Sequence, residues 1–286
     1  MTGKAKAGLA AVVAWMWSAA ALAQEGTQMP TPAFPLPMQL NLQTPVSPVA
    51  QQIYDFHNYL LVMCTVISLF VLALLLICVF RFNEKTNPIA SKTSHNTLLE
   101  VIWTAVPVVV LVIIAVPSYR LLYYMDRTTE AEMTLKVIGN QWFWTYEYPD
   151  QEISFDALAL PDDQIDTAAG QHRLLETDRH VVLPVDTTIR ILFTANDVIH
   201  AWTIPAFGVK LDNMPGRTNE TWTRVTQEGR YYGQCSELCG VDHSFMPIVV
   251  DVVSKDAFEQ WVAKEKAQAA LPPPASATQL AAAAAP

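Results

Sequence analysis

The stretch Cys235-Ser-Glu-Leu-Cys-Gly-Val-Asp-His-Ser-Phe-Met246 places two thiols, one imidazole and one thioether on a short segment near the C-terminal end of the chain. These donors follow the spacing Cys-x3-Cys-x3-His-x2-Met. All four are soft or borderline-soft ligands of the kind that copper prefers. The segment therefore predicts a metal site, and any missing ligand has to come from elsewhere in the chain.

The second cysteine changes the kind of copper site that is expected. A loop carrying Cys, then His, then Met resembles the ligand loop of a blue-copper protein, in which one thiolate serves one copper. Two thiolates can each bridge two copper ions, and each ion then needs a terminal nitrogen. His243 supplies one of these nitrogens, so a second histidine is required.

His200 is the predicted second histidine. The other four either flank hydrophobic runs or lie in polar stretches: His57, His95, His172 and His180. His200 instead follows the strand-like run 188–194, and an upstream histidine on a neighbouring strand is the blue-copper arrangement.

Three other interpretations use the same residues. A zinc site could take both cysteines and both histidines, although it would explain neither Met246 nor the aromatic residues nearby. Cys235 and Cys239 could form a short disulfide in an oxidising compartment. Met246 could be an ordinary core residue.

Longer segments of the chain resemble the subunit II family of cytochrome c oxidases. The resemblance extends from about residue 50 to about residue 265. It is carried by Gly139-Asn-Gln-Trp-Phe-Trp-Thr-Tyr-Glu-Tyr148, Asp197-Val-Ile-His-Ala-Trp202, Pro215-Gly-Arg217 and Tyr231–Pro247.

The resemblance implies that the cysteine-rich segment holds a dinuclear copper centre, copper A. Six residues would form it: Cys235 and Cys239 as bridges, His200 and His243 as terminal ligands, and Met246 with the backbone carbonyl of Glu237 as weak axial ligands. The family also implies that the Glu237 side chain binds Mg²⁺ at the boundary with subunit I, which suits a hard cation.

The resemblance further implies an electron-transfer function within a proton-translocating oxidoreductase. In the family, subunit II accepts electrons from cytochrome c and passes them to haem in subunit I, where oxygen is reduced to water; subunit III is a further partner. Trp142 would be the point where electrons enter, although by itself it would be expected to pack in the core. A quinol-oxidase subunit would lack the copper ligands, and a copper-delivery protein would need no membrane spans.

Five acidic residues have further implied roles. Glu100, within the first turns of the second apolar run, would mark a proton-channel entrance into subunit I; alternatively, it reaches cytoplasmic water or caps its helix. The implied docking carboxylates for cytochrome c are Glu147, Asp156, Asp178 and Asp197, each of which could also be a solvated surface charge.

The composition indicates a membrane protein with an acidic outer part. Hydrophobic residues make up 51% of the chain and charged residues 16%, which suits membrane spans. Between residues 126 and 259, 22 Asp and Glu against 10 Lys and Arg give a net charge of −12. This region should attract a basic partner and repel nucleic acid, although solubility explains most of these charges.

The N-terminal part predicts export and a membrane hairpin. Residues 1–23 resemble a secretory signal, with an uncleaved anchor as the alternative, and residues 24–50 form a Pro-rich extended arm. Residues 51–125 form the hairpin, with spans at about 59–80 and 98–124. The basic connection between them marks the cytoplasmic side. Both mature termini and the copper domain then lie on the periplasmic side of a bacterial inner membrane.

The remaining residues predict the second half of a membrane-anchored α+β fold. Short alternating runs within residues 126–268 indicate a cupredoxin-like β-sandwich or barrel, including a strand in 173–182 after a looser segment. Ser254 is expected to cap a final helix with Phe258, Trp261 and Val262 on one face. The Ala- and Pro-rich tail 269–286 is expected to be disordered.

Overall fold

The computed structural model describes residues 34–89, 91–127 and 130–269. The predicted signal (1–23), the first part of the predicted arm (24–33) and all but the first residue of the predicted tail (270–286) lie outside the described residues.

Two long apolar helices come first. α1 spans Pro48–Arg81 and α2 spans Thr97–Met125, and their most apolar windows have mean hydropathies of 3.1 and 2.6 with none of those residues buried by the chain itself. α1 begins inside the predicted arm because the Ser47 hydroxyl accepts a hydrogen bond from the Ala50 N–H and a proline occupies the first helical position. Both helices have the length and composition to cross a membrane.

Within residues 130–269, ten strands follow and form two five-stranded sheets. Their bounds are β1 Met133–Asn140, β2 Phe143–Tyr148, β3 Ile153–Ala157, β4 Val181–Pro184, β5 Ile189–Ala195, β6 His200–Ile204, β7 Val209–Asn213, β8 Asn219–Thr223, β9 Gly229–Cys235 and β10 Pro247–Val253. The first sheet has the order β3-β2-β1-β5-β8, and the second has the order β4-β10-β9-β6-β7. The pairs β1–β5 and β4–β10 are parallel, and the other neighbours are antiparallel.

Alternating side chains explain why these segments form a sandwich. In β2, Trp144, Tyr146 and Tyr148 are buried, whereas the residues between them are half-buried. β5 shows the same alternation, with Ile189, Ile191 and Phe193 buried. Because successive side chains of a strand point to opposite faces, each sheet presents one apolar face to the other. The fold class is as predicted: two apolar helices followed by a β-sandwich.

The structure corrects one predicted strand. Residues 173–180 are not extended as a strand: Leu174 has a positive φ of 65°, and Thr177 forms only an isolated bridge with Ala159. The buried Glu176 side chain here accepts hydrogen bonds from the Tyr232 hydroxyl and the His172 N–H. The first of these contacts joins the segment to β9, and the strand begins only at Val181.

The final helix, α3, spans Lys255–Ala269 and is as predicted. The Ser254 hydroxyl accepts a hydrogen bond from the Ala257 N–H. Phe258 is buried, and Trp261 and Val262 pack against the core.

Both apolar helices are attached to the sandwich at the ends nearest to it. At the start of α1, the Ser47 hydroxyl donates to the Phe207 carbonyl at 2.7 Å. At the end of α2, the Trp222 indole N–H donates to the Tyr124 carbonyl at 3.2 Å. The first attachment lies beside the second sheet, and the second attachment lies on β8 of the first sheet.

Candidate metal centre

The sandwich brings the predicted ligands together from three places. His200 is the first residue of β6, Cys235 is the last residue of β9, and Met246 directly precedes β10. The ligand loop, residues 236–246, connects β9 to β10. The Cys235 N–H donates to the Met246 carbonyl, and the Ser236 N–H donates to the Ala201 carbonyl, both at 3.0 Å. These bonds close the loop over the end of β6.

The donor atoms form a compact cluster. The two cysteine sulfurs lie 3.9 Å apart and are not bonded as a disulfide. Cys235 Sγ lies 4.0 Å from His200 Nδ1, and Cys239 Sγ lies 3.5 Å from His243 Nδ1. Each sulfur therefore has one imidazole nitrogen as its neighbour.

Two weaker donors flank the sulfurs. Met246 Sδ lies 3.6 Å from Cys239 Sγ, and the Glu237 carbonyl oxygen lies 3.4 Å from Cys235 Sγ. Met246 is fully buried, so it is also part of the core. All six atoms that the sequence predicts as ligands are thus in one place.

Burial and hydrogen bonding act differently on the two thiols. Burial would raise the pKa of Cys235, but the hydrogen bond with His200 and contacts with the backbone lower it to about 7. Burial, together with the neighbouring Cys235 thiolate, raises the pKa of Cys239 to about 12. Because the thiolate is the ligand form, a bound cation would have to displace the second proton.

The His200 ring is held from several sides. Its Nε2 lies 2.9 Å from Asp197 Oδ1, which leaves Nδ1 directed at Cys235. Trp144 contacts the ring edge-to-face at 5.9 Å between centroids. A Cβ atom on Gly139 would lie 2.6 Å from the His200 Cδ2, so only glycine leaves room for the ring. A carboxylate behind a metal-binding imidazole is a common way to fix its tautomer and orientation.

Trp142 is half-buried between the core and the ligand loop. It directly precedes β2, and its indole N–H donates to the Cys239 carbonyl at 3.3 Å. Gln141 and Gly139, beside it, were not predicted as part of the site. Both lie in the segment 139–148 that carries the family resemblance, but nothing in that segment alone predicts their contacts with the site.

The predicted docking carboxylates are at least partly exposed, and each has a partner in the chain. Glu147 is 2.8 Å from Lys136 Nζ, Asp156 accepts from the Thr145 hydroxyl, and Asp178 accepts from the Leu158 N–H. Asp197 differs from the other three, because both of its oxygens contact residues at the metal centre. Its Oδ1 lies 2.9 Å from His200 Nε2, and its Oδ2 accepts a hydrogen bond from the Gln141 N–H.

The other two acidic residues with predicted roles, Glu100 and Glu237, lie on different elements, α2 and the ligand loop. Glu100 lies in the first turn of α2, where its carboxylate accepts a hydrogen bond from the Asn96 N–H at 3.4 Å. This contact is the helix-capping alternative that the sequence left open. The Glu237 side chain is exposed on the ligand loop.

The residues present fit copper. Two thiols, two imidazoles, a thioether and a carbonyl oxygen lie within a few ångströms of one another, and this soft donor set matches copper chemistry. His200, Cys235 and Cys239 meet the geometry of a metal-binding group. Fold and site together define a membrane-anchored protein with a cupredoxin-like metal-binding domain.

Comparison with known proteins gives the family. The family model described as "Cytochrome C oxidase subunit II, periplasmic domain" matches residues 133–253, and the corresponding transmembrane-domain model matches residues 35–121. The chain belongs to the cytochrome c oxidase subunit II family. It is therefore part of a haem–copper terminal oxidase complex, with two membrane-spanning helices and a C-terminal soluble domain.

Individual relatives cover most of the chain. It is 49% identical to "Probable cytochrome c oxidase subunit 2" of Rickettsia bellii over 237 residues, which are 82% of this chain and 87% of that protein. It is 45% identical to "Cytochrome c oxidase subunit 2" of Triticum aestivum over 236 residues, 80% and 90% of the two chains. The crystal structure of the periplasmic domain of subunit II of cytochrome oxidase of Bradyrhizobium japonicum is 47% identical, with a TM-score of 0.46, and covers 50% of this chain and 99% of that one.

Proposed function

We propose that this subunit takes up electrons from cytochrome c at a dinuclear copper A centre and passes them to the haem of subunit I. The observation that carries the proposal is the pairing of donors: two sulfurs 3.9 Å apart, each beside one imidazole nitrogen. Cys235 and Cys239 would hold two copper ions between them, and His200 and His243 would each supply one nitrogen ligand. A single metal ion that bound both sulfurs and both imidazoles would leave the Met246 thioether unbound. A single ion that bound Met246 would leave one of the paired donors unbound.

The chain's own residues hold this centre in a fixed frame. When bound, the copper pair supplies reversible one-electron oxidation and reduction. Cys235 and His200 belong to hydrogen-bonded strands, and Cys239 is held by hydrogen bonds to its carbonyl. Ligands that cannot move far keep the geometry similar in both oxidation states, which favours fast electron transfer.

The acidic surface is the proposed docking site for cytochrome c. The net charge of −12 over residues 126–259 attracts a basic partner. Glu147, Asp156, Asp178 and Asp197 are the proposed docking carboxylates, and they would act mainly on the rate of encounter. Trp142 is the proposed point of electron uptake, because its indole reaches from the half-exposed surface to the Cys239 carbonyl.

Our further proposals concern the orientation of the chain in the membrane, a Mg²⁺ site and proton uptake. Residues 1–23 are a cleaved signal, so that both mature termini and the domain 126–268 lie on the periplasmic side. The exposed Glu237 side chain contributes one ligand to Mg²⁺ at the subunit I boundary. Glu100 serves proton uptake into subunit I, where oxygen reduction and proton translocation occur, and subunit III completes the partners.

The test is a spectrum of the full chain, purified in detergent and supplied with copper. We expect two copper ions per chain, a purple colour, and an electron paramagnetic resonance spectrum of one unpaired electron shared by two nuclei. Cys235→Ser should abolish this signal, whereas Cys64→Ser, which removes a thiol from α1, should preserve it. One copper per chain with a blue-copper spectrum, or zinc in the native complex, would refute the proposal.

A further inference from the structure

Gln141 lies between two arms of the candidate metal centre. On one side, its backbone N–H donates to Asp197 Oδ2 at 2.6 Å, and the other oxygen of Asp197 lies 2.9 Å from His200 Nε2. On the other side, its amide Nε2 donates to the carbonyl oxygen of Cys239 at 2.8 Å. One residue thus connects the ligand on β6 with a ligand on the loop.

The ligand loop has few attachments to the first sheet. Within residues 130–269, the hydrogen bonds that join the backbone of residues 237–240 to the β1–β2 segment are the two donated to the Cys239 carbonyl. Gln141 gives the shorter of the two, and Trp142 gives the other at 3.3 Å. Removal of the Gln141 amide would therefore leave a single, longer bond at this point.

Close packing shows that the loop is seated against these two side chains. Gly240, directly after Cys239, has a φ of 130°, and a Cβ atom there would lie 3.0 Å from the Trp142 ring and 3.2 Å from Gln141 Nε2. A larger residue would push the loop away from the first sheet. The backbone conformation and the absence of a side chain at Gly240 both allow the close approach.

Asp197 strengthens the connection. Its Oδ1 accepts from the Val198 N–H at 2.6 Å as well as facing His200, and its Oδ2 accepts from Gln141. The path His200–Asp197–Gln141–Cys239 is therefore a continuous set of hydrogen bonds.

We propose that Gln141 is a positioning residue, which fixes the Cys239 side of the ligand loop relative to the His200 side. The inference rests on the proposed function in one respect, since the positioned atoms are the proposed copper ligands. Partners that orient metal ligands from outside commonly change metal affinity by about 10- to 100-fold when they are removed. Gln141 touches no ligand atom and acts through Cys239 and Asp197.

The first part of the test uses the copper-supplied full chain. Gln141→Met removes the amide donor at similar length, and Gln141→Glu places a carboxylate opposite the Cys239 carbonyl. We expect a changed visible and paramagnetic resonance spectrum, and loss of copper to a chelator about 10-fold faster than from the unaltered chain. Gln164→Met and Gln164→Glu, at an exposed position in the turn 162–164, make the same chemical changes away from the site and should have no effect.

The second part needs no metal. Cys235 and Cys239 are 6% and 3% exposed, so both should react slowly with an alkylating reagent in the metal-free, reduced full chain. Gln141→Met should speed alkylation of Cys239 more than that of Cys235, because it frees only the Cys239 side of the loop. General destabilisation of the fold would instead speed the alkylation of both cysteines. The thermal unfolding midpoint of each variant is therefore measured together with the alkylation rates.

The two proposals fail in different ways. If the unaltered chain shows no dinuclear copper spectrum, the proposed function fails, and the ratio of alkylation rates still decides the role of Gln141. If the Gln141 variants keep the unaltered spectrum, copper retention and alkylation ratio, the positioning role is overturned while the proposed function stands.

Discussion

Trp142 lies at the boundary between the core of the sandwich and the ligand loop. It contacts the core on one side and donates to the Cys239 carbonyl on the other. We predict that Trp142→Phe slows reduction of the assembled oxidase by cytochrome c at least about tenfold while the copper content is preserved, because the shorter Gln141 bond still holds the loop. Stopped-flow reduction and metal analysis measure the two quantities.

The matched control for this change is Trp261→Phe, which alters an indole on α3. Trp261 packs against Tyr148 and Phe258, away from the ligand loop. The control should reduce stability slightly without changing the rate of electron uptake. Equal rates for the Trp142 variant and the unaltered oxidase would rule out the role of Trp142 in electron uptake.

Glu100 can be tested for its two possible roles separately. A glutamine at this position can still accept the hydrogen bond from the Asn96 N–H, but it cannot carry a proton. We predict that Glu100→Gln lowers steady-state oxygen consumption several-fold without changing the rate at which cytochrome c reduces copper. Normal oxygen consumption in this variant would leave helix capping as the only role of Glu100. The control is Glu84→Gln, in the connection between α1 and α2.

At this scale, the sequence predicts which residues carry metal chemistry but not what surrounds them. The ligand spacing points to Cys235, Cys239, His243 and Met246, and the one suitably placed histidine is His200. Only the family resemblance implies the Glu237 carbonyl. The inward contacts of Asp197 and Gln141 cannot be predicted in the same way, because they depend on how the segments 139–142 and 196–200 meet in space. The family resemblance implies Asp197 as a docking carboxylate, and its contacts with His200 and Gln141 are seen only in the structure.

The pairing of β9 with β10 includes a partly exposed ionic network. Arg230 lies directly opposite Asp251, and its guanidinium donates to both carboxylate oxygens at 2.7 and 3.1 Å. His180 Nδ1 adds a contact at 2.9 Å. Burial would raise the pKa of Asp251, but the hydrogen bonds with His180 and Arg230 lower it below its ordinary value of 3.8.

This network predicts how stability depends on pH. Because the pKa of Asp251 is lower in the folded state, its contribution is complete above 3.8 and is lost as the pH falls below that value. We expect Asp251→Asn to lower the free energy of unfolding by about 2 kcal/mol at neutral pH and by clearly less at pH 3. Guanidinium unfolding of the full chain in detergent, followed by tryptophan fluorescence, measures both values.

The control for this prediction is Asp186→Asn. Asp186 forms an exposed ion pair with Arg224 at 3.6 Å. Such pairs contribute little, so the change should stay within about 0.5 kcal/mol at either pH. A loss from Asp251→Asn that is as large at pH 3 as at neutral pH would contradict the assignment to its charge.

At the scale of elements, the short alternating runs within residues 126–268 predict a β-sandwich, but they do not mark every strand. β6 and β7 lack this signal, because His200–Ile204 is almost wholly buried and Val209–Asn213 is short and mixed. Neither shows alternation, although together they carry His200 and the buried Asn213. The strand predicted in 173–182 begins only at Val181, because Leu174 has a positive φ and the buried Glu176 side chain accepts hydrogen bonds from Tyr232 and His172.

For the whole molecule, charge dominates the expected encounter with a partner. The net charge of −12 over residues 126–259 should speed association with a basic cytochrome c at low salt. We predict a fall in the second-order reduction rate of roughly tenfold between low and high ionic strength, because salt screens charges separated by more than about 10 Å. Reduction by a small uncharged reductant is the control, and a salt-independent rate with cytochrome c would contradict docking by charge.

The two attachments between helices and sandwich limit how the soluble domain can move. A domain joined to the membrane by one flexible segment can rotate freely. In this chain, by contrast, α1 contacts the sandwich at Phe207, beside the second sheet, and α2 contacts it at Trp222, on the first sheet. Hinging about either point alone would break the contact at the other. The two hydrogen bonds therefore restrict the orientation of the sandwich relative to the helices. Under the proposed function, the distance between the copper centre and the haem of subunit I would then be fixed by the architecture of the subunit.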